Sequence, residues 1–250
     1  LRPGVTTIRR TASGIELTTH KTPPGGIGGA ALASIALRLP DLGLAGSGGR
    51  QTQSMNNMKQ IGLAMHCHAD ARKSFPPAYT TDKQGKPLLS WRVQILPYLE
   101  DGDLYKQFRL DEPWDSEHNK KLIDQMPEVY RSPKSKAAPG YTNYLTARDA
   151  GTAFPGAKGM TFRDIRDGSS NTIMIVEACD ERAVPWTKPD DFEYNPENPM
   201  AGLVGLQKGG FLVTLCDGAV RLLPADIDAD VLKAFFTRSG GERIPWSLDE

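Results

Sequence analysis

From Gln51 to Ser74 the hydrophobic and polar positions follow a helical period. Met55, Met58, Gly62, Met65 and Ala69 recur at spacings of 3 and 4, with Ile61 beside them, and so form one stripe. Asn56, Lys59 and Asp70 lie off that stripe. Ser54 is placed as the N-cap of this helix. Its stop is the Phe75-Pro76-Pro77 break, because proline lacks an amide hydrogen and disfavours helix in the residue before it.

The pattern after the break is shorter in wavelength. Leu89–Glu100 reads as a second helix, apolar at Trp91, Val93, Ile95, Leu96 and Leu99 and kinked at Pro97. Leu104–Phe108 reads as a helical turn, and Asp115 or Ser116 can cap a third helix running through Met126. Beyond Pro127 the segments Gly140–Thr146, Thr172–Glu177, Phe211–Cys216 and Ala219–Leu223 are rich in β-formers. Asp217-Gly218 joins the last two as a hairpin, and Asp228–Thr237 closes as a helix. Helices first and antiparallel strands later predict an α+β fold: an N-terminal amphipathic helix packed on an antiparallel sheet, with short helices and long loops.

Ahead of this domain, residues 4–20 alternate β-branched and polar residues around a Ser-Gly turn, which predicts a hairpin. Lys21–Gly29 is a breaker cluster, and Ala30–Leu39 could form a few helical turns before Pro40. The organisation read from this is 1–22 as the β-hairpin end of a preceding domain, 23–50 as a Gly/Pro-rich linker with a degenerate helix, and 51–250 as the α+β domain.

Composition narrows the function classes. Thirty Lys and Arg balance thirty Asp and Glu, so no excess charge is available to grip nucleic acid. No stretch has the roughly 18 apolar residues of a membrane span. Cys67, Cys179 and Cys216 lack CxxC spacing; one disulfide with a spare thiol and three buried thiols are both compatible with them. The chain opens at Leu1 without a leader-like segment, as expected of a mature or truncated product.

Several segments stand in an order that resembles a known family. They are Asn56–His66 (NNMKQIGLAMH), Phe75–Pro77, Ser90–Glu100 (SWRVQILPYLE), Asp111–Ser116 (DEPWDS), Asp167–Thr172 (DGSSNT) and Asp217–Leu223. Val184–Pro189 and Phe236–Glu242 extend the match. Together they resemble the pilin-like proteins of unknown function of planctomycete bacteria, with prepilin-type, pseudopilin-like members. The resemblance implies a pilin-like head domain, a structural role and an extracytoplasmic location, periplasmic or at the cell surface. The chain departs from it at Ile27–Gln53, which Pro40, Gly43, Gly46, Gly48 and Gly49 interrupt where the family carries a continuous apolar helix. It also carries Ser132 where many members have a cysteine.

His66 and His68, two apart, point in opposite directions on a helix and cannot chelate one ion there. Asp164, Asp167 and Asn171, with Ser169, offer oxygen ligands for calcium around a glycine; the competing reading is an Asx turn ahead of a strand. Related pseudopilins bind calcium in a C-terminal loop, and calcium is the one cofactor considered. Asp111, Glu112, Asp115 and Glu117 beside His118 could be drawn as an acid/base group, or as helix caps with Pro113-Trp114 as a loop anchor. In the long stretch 185–205, Trp186, Phe192 and Tyr194 alternate with acids and prolines; they could contact a partner or ligand, or cover one face of the sheet.

These readings lead to a non-enzymatic, pilin-like structural or interaction module with protein partners in a cell-envelope or secreted assembly. The alternative is an extracytoplasmic module that binds peptide or carbohydrate through 185–205. A third reading is a hydrolase centred on Asp111–His118.

Overall fold

The computed structural model describes residues 6–11, 14–19, 47–99 and 101–242. The chain divides into two units, Leu1–Gly43 and Leu44–Glu250. In the first, β1 (Thr6–Thr11) pairs antiparallel with β2 (Gly14–Thr19), Thr6 opposite Thr19 and Thr11 opposite Gly14. This is the hairpin expected over 4–20. The helix expected over Ala30–Leu39 lies outside the described residues, as does Glu100.

The second unit begins with α1 (Ser47–Arg72). It starts before Gln51 because Gly48 and Gly49 are exposed in its first turn, where a helix end tolerates glycine. Ser54 is therefore interior to the helix, not its N-cap, and it is fully buried. Met58, Ile61, Ala64, Met65 and Ala69 are buried and Met55 is partly so, as the stripe predicts. Each buried methionine contributes roughly 1.5–3 kcal/mol of apolar transfer. The helix ends four residues before Pro76, the first proline of the break. Lys73 takes the left-handed conformation (φ 65°), and His68 Nδ1 meets the Ser74 carbonyl at 3.0 Å.

A short hairpin follows, β3 (Tyr79–Thr81) with β4 (Pro87–Ser90). The continuous helix expected over Leu89–Glu100 is resolved differently. Leu89 lies in β4, Ser90 caps the single turn α2 (Trp91–Gln94), and a 3₁₀ turn follows at Leu96–Tyr98. Pro97 is the second residue of that tighter turn, a position that needs no amide hydrogen. Next comes α3 (Gly102–Tyr105). The expected third helix is the 3₁₀ run Asn119–Gln125, with Ser116 Oγ accepting from the Asn119 amide at 3.1 Å.

The remaining strands are β5 (Tyr141–Thr142), β6 (Tyr144–Leu145), β7 (Ala147–Arg148), β8 (Ile173–Glu177), β9 (Val184–Pro185), β10 (Phe192–Glu193), β11 (Gly210–Leu215) and β12 (Val220–Pro224). Helix α4 (Ala229–Phe236) ends the described fold, with Asp228 Oδ1 accepting from the Asp230 and Val231 amides. The central sheet runs β12-β11-β8-β6 and is antiparallel throughout. Asp217-Gly218 makes the β11–β12 turn, with Gly218 at φ 89°. The unit is thus α+β.

The central strands β8 and β11 are buried on both faces, and side-chain alternation shows how. In β11, Leu212, Thr214 and Cys216 face α1, while Phe211, Val213 and Leu215 face α4. Gly62 lets α1 approach closely: a Cβ there would lie 3.2 Å from Thr214 Cγ2 and 3.6 Å from Met174 Cε. In β8 the pairing passes from Leu215–Ile173 to Thr214–Ile175, so Met174 is an extra residue at a bulge. Ile175 and Glu177 consequently share the α1 face, and Val176 lies on the α4 face.

Candidate functional site

The bulge delivers Glu177 to the seam between α1 and the sheet, where it is 1% exposed. Ser54 Oγ, arriving from α1, donates to Glu177 Oε1 at 2.5 Å, and Ser132 Oγ donates to the same oxygen at 2.7 Å. Gln207 Nε2 donates to Oε2 at 2.5 Å, and Lys134 Nζ holds the Gln207 carbonyl at 2.6 Å. The Tyr144 hydroxyl lies 2.8 Å from Ser54 Oγ. Burial, reinforced by Glu177, pushes that phenol well above its ordinary pKa. A carboxylate in this position is satisfied by neutral donors from three separate segments.

A second buried centre lies along the same strand pair. Arg92 and Asp191 form an ion pair at 2.6 Å with both side chains almost wholly buried. The guanidinium also donates to the Tyr144 carbonyl from Nε and Nη2 (3.1 and 2.9 Å) and to Ser90 Oγ at 2.7 Å. Asp191 Oδ1 accepts further from Trp91 Nε1 and the Thr146 amide, while Oδ2 is buried without a partner. Burial raises the Asp191 pKa, and Arg92 opposes that rise. Tyr144 joins the two centres, with its carbonyl on Arg92 and its hydroxyl beside Ser54. Neither was read from the sequence. An arginine between Trp91 and Val93 in an apolar run was the available signal.

The stretch 185–205 is stitched down instead of projecting. Its β9 pairs with β5, its β10 pairs with β7, and Asp191 anchors the span between them. Trp186 is fully buried, stacked on Tyr130, and donates Nε1–H to the Ile123 carbonyl at 3.0 Å. Phe192 is buried and stacked on Phe236. These two residues are core and offer no ring to a ligand, which corrects the expectation for them. Tyr194 is half-buried against Phe236 at 4.5 Å between ring centres.

The proposed calcium ligands are engaged locally. Asp164 accepts from the Thr161 amide and hydroxyl in a capping box, which holds its carboxyl below the usual carboxylate range. Asp167 accepts from the Gly240 and Gly241 amides at 2.7 and 2.9 Å, and Asn171 donates to the Asp167 carbonyl. Among the described residues no three His, Cys, Asp or Glu side chains are grouped to hold a metal ion. The turn around Gly168 is closed by the Asn171 amide on the Gly168 carbonyl, while the Asp167 carboxylate is turned to the 240–241 amides and not to its own backbone as the Asx-turn reading expects.

His118 and Glu112 are engaged locally. His118 Nε2 meets the Gln107 carbonyl, Glu112 pairs with Arg109, and buried Asn119 ties Arg109, Glu112 and Pro113 together. Trp114 packs on the core as the loop anchor expected. On α1, His66 lies against Phe75 and Phe162, and His68 lies edge-on to Tyr98. The three cysteines are free thiols; Cys216 is buried, and Cys67 and Cys179 are half-buried.

A family model described as "Protein of unknown function (DUF1559)" matches residues 47–208. No curated protein and no solved structure matches the chain. Among the described residues no helix is long and apolar enough to cross a membrane.

Proposed function

The chain belongs to the DUF1559 family of proteins of unknown function, and from that premise we propose that its second unit is a non-enzymatic, pilin-like structural or interaction module of an extracytoplasmic assembly. One observation carries the reading: the 26-residue α1 is clamped by its inner stripe to a four-stranded antiparallel sheet, and among the described residues its outer face is exposed. That face carries Asn56, Lys59, Gln60 and Leu63, all exposed, with Leu63 at 66%. A long helix fixed on one side and open on the other suits lateral contact with another chain.

The ionisable groups support a scaffold more than a reaction centre. Glu177 and the Arg92–Asp191 pair are buried and bonded to structural partners, and the half-exposed histidine and acids at 109–119 stabilise a loop. The partners in this proposal are proteins of the cell envelope or of a secreted complex.

The native mass of the protein, gently extracted from its own cells with companion chains identified, tests the reading. A defined assembly that dissociates on Leu63→Asp, with circular dichroism unchanged, is expected. A monomer without companions would overturn it.

A further inference from the structure

Beside the C-terminal end of α1 lies an open cleft of about 810 Å³, between the helix and the run from β4 through α3. Its size falls within the about 300–1,000 Å³ of small-molecule sites. Leu89, Val93 and Pro97 make an apolar floor, and Tyr98 and Tyr105 line it with aromatic rings. Leu110, 43% exposed, stands at the opening. None of these residues belongs to the aromatic stretch 185–205.

The polar groups of the cleft are unequal in what they leave available. Thr80 Oγ1 is bonded to both the carbonyl and the amide of Leu89, and Gln94 Nε2 donates to the Pro77 carbonyl. Lys106 is paired with Asp103 at 2.7 Å on the exposed surface. Arg72 is exposed and has no hydrogen bond or ion pair among the described residues. His68 holds the Ser74 carbonyl through Nδ1; a carbonyl only accepts, so Nδ1 carries the proton and Nε2 of the neutral ring is an acceptor. The described lining includes two cations and no carboxylate.

We propose that this cleft binds a small organic acid, its apolar or aromatic body on Leu89, Val93 and Pro97 between Tyr98 and Tyr105, its carboxylate at Arg72. A guanidinium suits this role because its fork of N–H donors matches the two carboxylate oxygens. Sugars fit the floor poorly, since Thr80 and the Gln94 amide nitrogen are already committed and few other groups could meet a ring of hydroxyls. This inference stands independently of the assembly role of the outer α1 face.

The test uses the full chain with 4-phenylbutyrate and its uncharged counterpart 4-phenylbutyramide as probes, followed by calorimetry and by amide chemical shifts. The acid is expected to bind saturably, with shifts centred on residues 68–72, 89–98 and 102–110. Arg72→Gln should weaken the acid about tenfold and leave the amide unchanged, as expected for loss of one charge-assisted contact. Leu110→Glu, an exposed change at the opening, should weaken the acid in the same direction. Absence of saturable binding, or equal binding of acid and amide with Arg72→Gln indifferent, would overturn the proposal. Both positions are exposed, and a thermal melt of each variant verifies that the fold is retained.

Discussion

Ser54 on α1 donates its hydroxyl to Glu177 at the end of β8, joining residues 123 positions apart across a 2.5 Å hydrogen bond. The contact fixes the rotation of the helix on the sheet, because Ser54 meets the carboxylate only when the methionine stripe faces inward. It also makes the buried charge dependent on the helix.

Ser54→Ala should therefore cost about 2 kcal/mol, the usual range for removing a hydrogen bond to a buried charged group. Urea unfolding should show a lower midpoint with an unchanged slope. Ser132→Ala removes the second donor to the same oxygen, so the double variant should depart from additivity by about 0.5 kcal/mol or more.

Arg92→Met should be among the most damaging single changes, at about 3–5 kcal/mol, since it leaves Asp191 buried and unpaired. Arg92→Met with Asp191→Leu should recover much of that loss. The pH dependence follows from the raised Asp191 pKa. Between the unfolded and the higher folded value the native state binds more protons, so stability falls as pH rises through that window. Without Arg92 the folded value rises further, and the penalty in Arg92→Met should shrink as the solution is acidified toward the unfolded value. Unfolding midpoints measured from neutral pH down to that range check this.

His68 works in the opposite sense. Burial lowers its pKa below the ordinary 6.5, ahead of the opposing bond to the Ser74 carbonyl. Below 6.5 the unfolded chain takes up the proton first, so stability contributed by the neutral ring is lost as pH falls from that value toward the lower folded one. His68→Gln should flatten this part of the stability profile, and a ring-proton titration by NMR should give a folded midpoint below 6.5.

Gly62 offers a steric test of the helix–sheet seam. Gly62→Ala gains about 1 kcal/mol of helix propensity but presses on Thr214 at 3.2 Å, so the two should nearly cancel. Gly62→Leu has no such relief and should cost at least about 2 kcal/mol through overpacking. Thermal melts of the two variants distinguish these outcomes.

The features legible in the sequence were those set by local periodicity. The methionine stripe, the Asp217-Gly218 turn and the closing helix each depend on a few neighbouring residues and appear where expected. Ser54 was misread as a cap because an interior serine and a capping serine look alike until a partner 123 residues away is known. Leu89–Glu100 was read as one helix because its apolar spacing suits a helix; pairing of β4 with β3 claims Leu89 and Ser90 instead. Trp186 and Phe192 stand among acids and prolines, which made the stretch look exposed. Their burial depends on Tyr130 and Phe236, contacts that no local window contains.

The surplus Met174 in β8 has a consequence for any chain sharing this fold. Set in a bulge, the additional residue leaves the later pairing in place, whereas in an unbroken alternation it would put everything after it on the other side. An unbulged β8 that kept Met174 would carry Glu177 into the apolar layer beneath α4, where Leu232, Phe235 and Phe236 have no donors on their side chains to receive it, whereas deleting Met174 would leave Ile175 opposite Thr214 and Glu177 on the α1 face. A relative lacking both that residue and the bulge can therefore keep the acid on the α1 face and the serine opposite it on the helix. Surplus residue and bulge, not residue and polar pair, form the single heritable character, gained or lost together.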